Sequence, residues 1–190
     1  TPPIKLFIPH PAVDWENKKK GQNEMTEQTA VIFAQVIERP ERKAIIKRGV
    51  EATHYYEYCE EVGCEVWGEL CSIKEALYEP MGMWLPASLI APGTSLYVQG
   101  VEVPSDFSGL VPDGYDLIKL QACKMMIFQG QKYDDANFET EVGKVMRAID
   151  EYDPEPFGFV WAPDAAPRFQ YEPLGSRGYI EGRPVQQIAK

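Results

Sequence analysis

The chain has 190 residues, 44% of them hydrophobic and 12% aromatic, and a formal net charge of −10 at pH 7. That is enough apolar material for the core of a globular domain, and the acidic balance opposes unaided binding of DNA or RNA, whose phosphates need clustered Lys and Arg. No apolar run reaches the roughly 18–20 residues of a membrane-spanning helix.

Residues 1–29 hold a short apolar piece (Ile4, Leu6, Phe7, Ile8) and then an almost wholly polar stretch, Lys18–Glu27, which reads as a linker or arm. Lys18-Lys19-Lys20 within it reads as solvated chain. Thr1-Pro2-Pro3 lacks the basic and apolar segments of a signal peptide, and a start without Met is expected of a segment of a longer protein. The folded domain is expected over residues 30–190. Its first β-rich pieces, Ala30–Ile37 and Lys43–Lys47, flank the turn Glu38-Arg39-Pro40-Glu41 and read as a strand pair or one interrupted strand.

Thr53 then serves as the cap of a helix with the apolar stripe Tyr55, Cys59, Val62, Val66, Leu70, Ile73 and Leu77. Steps of four and three sustained along that stripe predict one helical face. Gly63 and Gly68 lie inside it and suggest close approach of another element. Met83–Ile90 and Ser95–Val103 read as strands joined by the turn Ala91-Pro92-Gly93-Thr94, with Pro104–Gly114 a loop. The order then starts again. Tyr115–Gln129 is β-rich, and Asp134 and Asp135 cap a helix striped by Phe138, Val142, Val145, Ile149 and Tyr152. Asp153–Pro167 is a loop, and Phe169–Leu174 and Tyr179–Ile188 are closing strands.

An offset of 81 residues aligns Lys43, Ile46, Gly49 and Thr53 with Lys124, Ile127, Gly130 and Asp134. The pattern predicts an α+β fold of two βαββ repeats, with an antiparallel sheet and the helices on one face. The cleft where the halves meet is the expected ligand position.

Cys59, Cys64, Cys71 and Cys123 form no CxxC pair, and the spacing His54, Cys59, Cys64 does not stay on one helix face. They read as reduced, buried thiols of a cytoplasmic protein, with no metal and no other cofactor implied.

Two stretches carry a family resemblance. Glu38-Arg39-Pro40-Glu41-Arg42-Lys43 followed by Tyr58-Cys59-Glu60-Glu61-Val62-Gly63-Cys64-Glu65-Val66-Trp67-Gly68 resembles the first repeat of GyrI-like effector-binding domains. Ala166-Pro167-Arg168-Phe169 and Arg177-Gly178-Tyr179-Ile180-Glu181-Gly182-Arg183-Pro184-Val185 resemble the end of the second. The resemblance implies a pseudo-twofold pair of repeats with a groove for lipophilic, often cationic, compounds. It implies the effector-sensing part of a bacterial transcription regulator, often of the AraC type, reaching DNA only through an N-terminal helix-turn-helix module that this chain does not contain. Residues 1–29 resemble the tail that joins such a module.

The resemblance also implies an acid on a late strand among aromatic rings. Glu181 matches best, with Glu172 the fallback. Candidate walls are Trp67, Trp84, Tyr97, Phe157 and Trp161, each of which also reads as ordinary packing. Strand alternation sets Tyr179, Glu181 and Arg183 on one face. If Ile180 packs on the helices, Glu181 turns away from them, towards the groove or towards solvent beside Arg183. Two further readings stay open. Glu181 suits a GyrI-like hydrolase that opens cyclopropane-bearing toxins, where a carboxylate positions water. An acidic, grooved domain also suits a gyrase-inhibitor-like protein contact. His10 and His54 are the only histidines; His10 sits in the arm and His54 at a helix start, which leaves little for a histidine-based catalytic site. Oligomeric state is not legible.

Overall fold

A computed structural model describes residues 30–189. The expected arm of residues 1–29, with His10 and Lys18–Lys20, lies outside the described residues. The elements are β1 (Ile32–Arg39), β2 (Arg42–Arg48), α1 (Tyr55–Val62), α2 (Glu65–Cys71), β3 (Met81–Trp84), β4 (Tyr97–Pro104), β5 (Asp116–Leu120), β6 (Cys123–Gly130), α3 (Phe138–Asp150), β7 (Phe159–Trp161), β8 (Arg168–Tyr171) and β9 (Ile180–Gln187). All the strands join one antiparallel sheet in the order β1-β6-β9-β8-β3-β4-β2-β5, with β7 also on β9. In strand order β8, β9, β6 and β1 run out on one side of the central β3–β8 pairing and β3, β4, β2 and β5 on the other.

Several expectations need correction: the strand expected over Met83–Ile90 is Met81–Trp84, Tyr115–Gln129 is two strands, and Asp134 caps a 3-10 turn ahead of α3, whose own cap position is Asn137. β1 and β2, although joined by a two-residue turn, do not pair; β1 lies against β6 and β2 between β4 and β5. The single long helix is two helices. Gly63 adopts φ 96°, a conformation open to glycine, and its N–H returns to the Cys59 carbonyl at 3.0 Å, closing α1. The stripe survives the break in part: Val66 and Leu70 are buried and Tyr55, Cys59 and Val62 half-buried, whereas Ile73 and Leu77 lie beyond α2 and Leu77 is 42% exposed. The cap of α1 is His54, not Thr53, whose N–H and hydroxyl both donate to the Glu57 carboxylate at 2.8 Å. Finally, Phe159–Trp161, expected in a loop, forms β7 against the end of β9.

The sheet buries apolar residues on both faces. On one, α2 packs Val66 and Leu70 on Ile45, Val101 and Val103, and α3 packs Val142, Val145 and Ile149 on Met126, Phe128, Tyr179 and Val185. On the other face Ala44, Ile46, Met81, Met83, Val98, Met125 and Phe169 form a second core without a helix. β4 faces both cores, which explains why seven of its eight residues, all but Pro104, are buried. Arg39 on β1 and Arg42 on β2 both reach Glu102 of β4, Arg42 at 2.8 Å, with all three side chains 3% exposed. An edge strand touching β4 in this way requires a strongly curled sheet. Among the described residues no helix is long and apolar enough to cross a membrane, and no cluster of His, Cys, Asp and Glu is placed to hold a metal ion.

Candidate functional site

Register decides which side chains meet on the helix-side face. Phe128 pairs with Glu181, Glu181 with Gln170, Gln170 with Gly82 and Gly82 with Gln99, giving one row across the centre of the sheet. In the adjacent row Trp84 pairs with both Arg168 and Tyr97, and Arg183 pairs with Met126. Paired residues of an antiparallel sheet point to the same side, so both rows lie between the packing of α1 and α2 and that of α3.

Glu181 is fully buried and wholly engaged. Arg168 Nη2 donates to Oε2 at 2.9 Å and its Nε lies 2.6 Å from Oε1. Arg183 Nε donates to Oε1 at 2.5 Å, and Arg183 Nη2 continues to Asp150 at 2.5 Å. The Tyr179 hydroxyl sits 2.8 Å from Oε2 and 3.0 Å from the Gln170 side chain; its single proton goes to the carboxylate. Burial, reinforced by the negative charge of Glu181, pushes the Tyr179 phenol well above its ordinary range. Burial alone would lower the Arg183 pKa, but Glu181 and Asp150 raise it. Arg183 therefore stays charged.

Beside this cluster opens a cavity of about 430 Å³ lined by Trp84, Leu85, Pro86, Leu96, Trp161, Pro163, Asp164, Arg168, Arg183 and Pro184. Each tryptophan carries a guanidinium: Arg168 lies 4.4 Å from the Trp84 ring centre and Arg183 5.9 Å from that of Trp161. The orientation of Trp84 is set by its Nε1–H bond to the Thr53 carbonyl at 2.9 Å and by the edge-on ring of Tyr97, 5.1 Å away. A wider, more open recess of about 810 Å³ lies by Phe33, Gln129, Lys132, Ser176 and Arg177. It holds no buried ionisable cluster and one aromatic ring, so the Trp84–Trp161 cavity is the better-built site.

No family model matches the sequence, and no curated protein matches it. Solved structures do. SAV2435 bound to tetraphenylphosphonium superposes with a TM-score of 0.51 at 16% identity, over 81% of this chain and 94% of that one. The EcmrR C-terminal domain gives a TM-score of 0.50 at 13% identity, over 83% of this chain and 99% of that one.

The chain has a GyrI-like fold.

Within this GyrI-like fold the residues expected from sequence separate. Trp84 and Trp161 face one cavity, Glu181 lies behind its arginines, and Tyr97 backs Trp84. Trp67 is half-buried on α2 and does not line that cavity. Phe157 is 64% exposed and stacks on Tyr152. Glu172 is exposed, apart from the Glu181 cluster. The orientation expected for Glu181 is corrected: it shares the helix-side face with Phe128, and the space between the helix groups leaves room for the cluster. Sequence reasoning missed Arg168. The signal was its spacing, since Arg168 and Gln170 share one face of β8 and meet the Arg183 and Glu181 face of β9. Cys59, Cys64, Cys71 and Cys123 are free thiols; Cys64 and Cys71 are exposed rather than buried as expected, and Cys59 and Cys123 are half-buried. Burial raises the Cys59 pKa to about 11.

Proposed function

We propose that this chain is the effector-sensing part of a bacterial transcription regulator and takes a lipophilic aromatic small molecule into the Trp84–Trp161 cavity. The observation that carries the reading is that cavity: about 430 Å³, walled by two tryptophans at the junction of the two halves, over a buried ionic cluster. Its size falls in the range of small-molecule sites, which are apolar with a few fixed polar groups. Likeness of fold to SAV2435, solved with a bound aromatic ion, supports it. Contact with DNA belongs to a separate module, because a net charge of −10 repels phosphate. Residues 1–29 are then the segment joining the two.

The hydrolytic alternative is weaker on the same geometry. A carboxylate that positions water needs a free acceptor oxygen, and both oxygens of Glu181 are held by Arg168, Arg183 and Tyr179.

Nile red, a neutral aromatic dye, tests the reading without regard to charge. Its emission is expected to shift to the blue and rise saturably with the protein. Trp161→Ala is expected to weaken binding by about tenfold or more, the scale of one aromatic contact plus its buried area. Binding unchanged in both Trp161→Ala and Trp84→Ala would refute the cavity as the ligand site.

A further inference from the structure

The cavity offers a ligand less negative charge than Glu181 suggests. The Glu181 side chain is 0% exposed, while Arg168 and Arg183, which cover it, are 29% and 16% exposed and line the cavity. Two features draw an organic cation into an aromatic site: a carboxylate and the negative face of a ring. Here both are already occupied from within. Arg168 holds Glu181 and lies over Trp84; Arg183 holds Glu181 and lies over Trp161. A cationic ligand reaching Glu181 would have to dislodge a guanidinium from the carboxylate and from the ring together, and would meet a second like charge beside it.

An anion meets the opposite situation. Arg168 spends Nη2 on Glu181, while its buried Nε lies 2.6 Å from Oε1 without making a hydrogen bond, and Arg183 spends Nε on Glu181 and Nη2 on Asp150. The Nη1 group of each has no hydrogen-bond partner among the described residues. Two guanidiniums with N–H groups to spare, lining one cavity, suit a carboxylate, sulfonate or other compact anion. The opposing charge in the lining is Asp164, which is exposed and so screened by water.

We infer that the ligand of this cavity is an aromatic anion, and that Arg168 sets the sign of the charge it accepts. The inference rests on the reading of the cavity as the ligand site.

Tetraphenylborate and tetraphenylphosphonium separate charge from shape, since both carry four phenyl rings on a tetrahedral centre. Each is titrated against the protein loaded with Nile red, and the displacement is followed. Tetraphenylborate is expected to bind about tenfold tighter or more, a modest share of the attraction between unit charges a few ångströms apart in a half-buried site. Arg168→Gln exposes Glu181 and is expected to shrink that ratio by about tenfold or reverse it. Arg168→Lys keeps the charge and is expected to keep the order. A preference due to the greater lipophilicity of one ion would survive Arg168→Gln, and its survival there overturns the inference. So does equal or tighter binding of tetraphenylphosphonium to the unaltered protein, or failure of both ions to displace the dye. That unaltered-protein comparison needs no variant to fold. Absence of Nile red binding in the first place is the separate failure of the cavity reading.

Discussion

Glu181→Gln keeps the shape of the side chain and removes the charge on which Arg168, Arg183 and Tyr179 converge. The two guanidiniums are then left with Asp150 alone, through Arg183. Orphaning a buried charge costs about 3–5 kcal/mol when it stays dry. Arg168 and Arg183 are 29% and 16% exposed and can turn towards water, which reduces the expected loss to about 2–3 kcal/mol. In a domain of this size each kcal/mol lowers Tm by about 2–4 °C, so a fall of about 4–12 °C is expected. Glu102→Gln supplies an internal ruler. Its partners Arg39 and Arg42 are each 3% exposed, and no second carboxylate among the described residues pairs with either. That variant is expected to lose the full 3–5 kcal/mol or so. Calorimetric melts of the wild type and both variants at one neutral pH make the comparison. A Glu181→Gln melt within about 2 °C of wild type, or a larger loss there than in Glu102→Gln, refutes the reasoning from guanidinium exposure.

A Cβ added at Gly82 would lie 2.1 Å from the Tyr97 hydroxyl oxygen, so Gly82→Ala must displace that side chain. A cost of about 1–3 kcal/mol by urea titration is expected, together with altered Trp84 emission, because Tyr97 packs edge-on against that ring; an unchanged variant would contradict the contact. Alkaline pH should also destabilise the fold. Burial raises the pKa of Tyr97 and Tyr179 above the ordinary 10.0 and that of Cys59 from 9.0 to about 11. The folded state therefore holds these protons more tightly than the unfolded chain. Stability is full below the ordinary values and falls as pH rises through them, so the urea midpoint should drop between neutral pH and about 10.5 while a flat midpoint contradicts the burial. By the same cause iodoacetamide should label exposed Cys64 well before Cys59.

Much of the architecture was legible because it is written in local pattern. Turn residues delimited β2, β4 and β9 to within a few residues, the β-rich stretch Tyr115–Gln129 ran β5 and β6 together, and the apolar stripes found the helices. The partners of β1 and β2 were not legible, since alternation fixes which residues share a face but not which strand lies alongside. The break at Gly63 was hidden because the stripe runs through it unaltered. At the site, the resemblance picked out Glu181 as the acid and the aromatic count included Trp84 and Trp161. It equally included Trp67 and Phe157, because composition cannot tell a cavity wall from a ring on an outer surface. The role of Arg168 depends on β8 lying beside β9, and that pairing is a property of the assembled sheet.

A crystal structure of the chain with Nile red bound tests the cavity most directly. The account predicts the dye between Trp84 and Trp161, in contact with Arg168 and Arg183, with Glu181 still buried beneath them. Dye seated instead in the recess by Phe33 and Arg177, with the Trp84–Trp161 cavity empty, would contradict it.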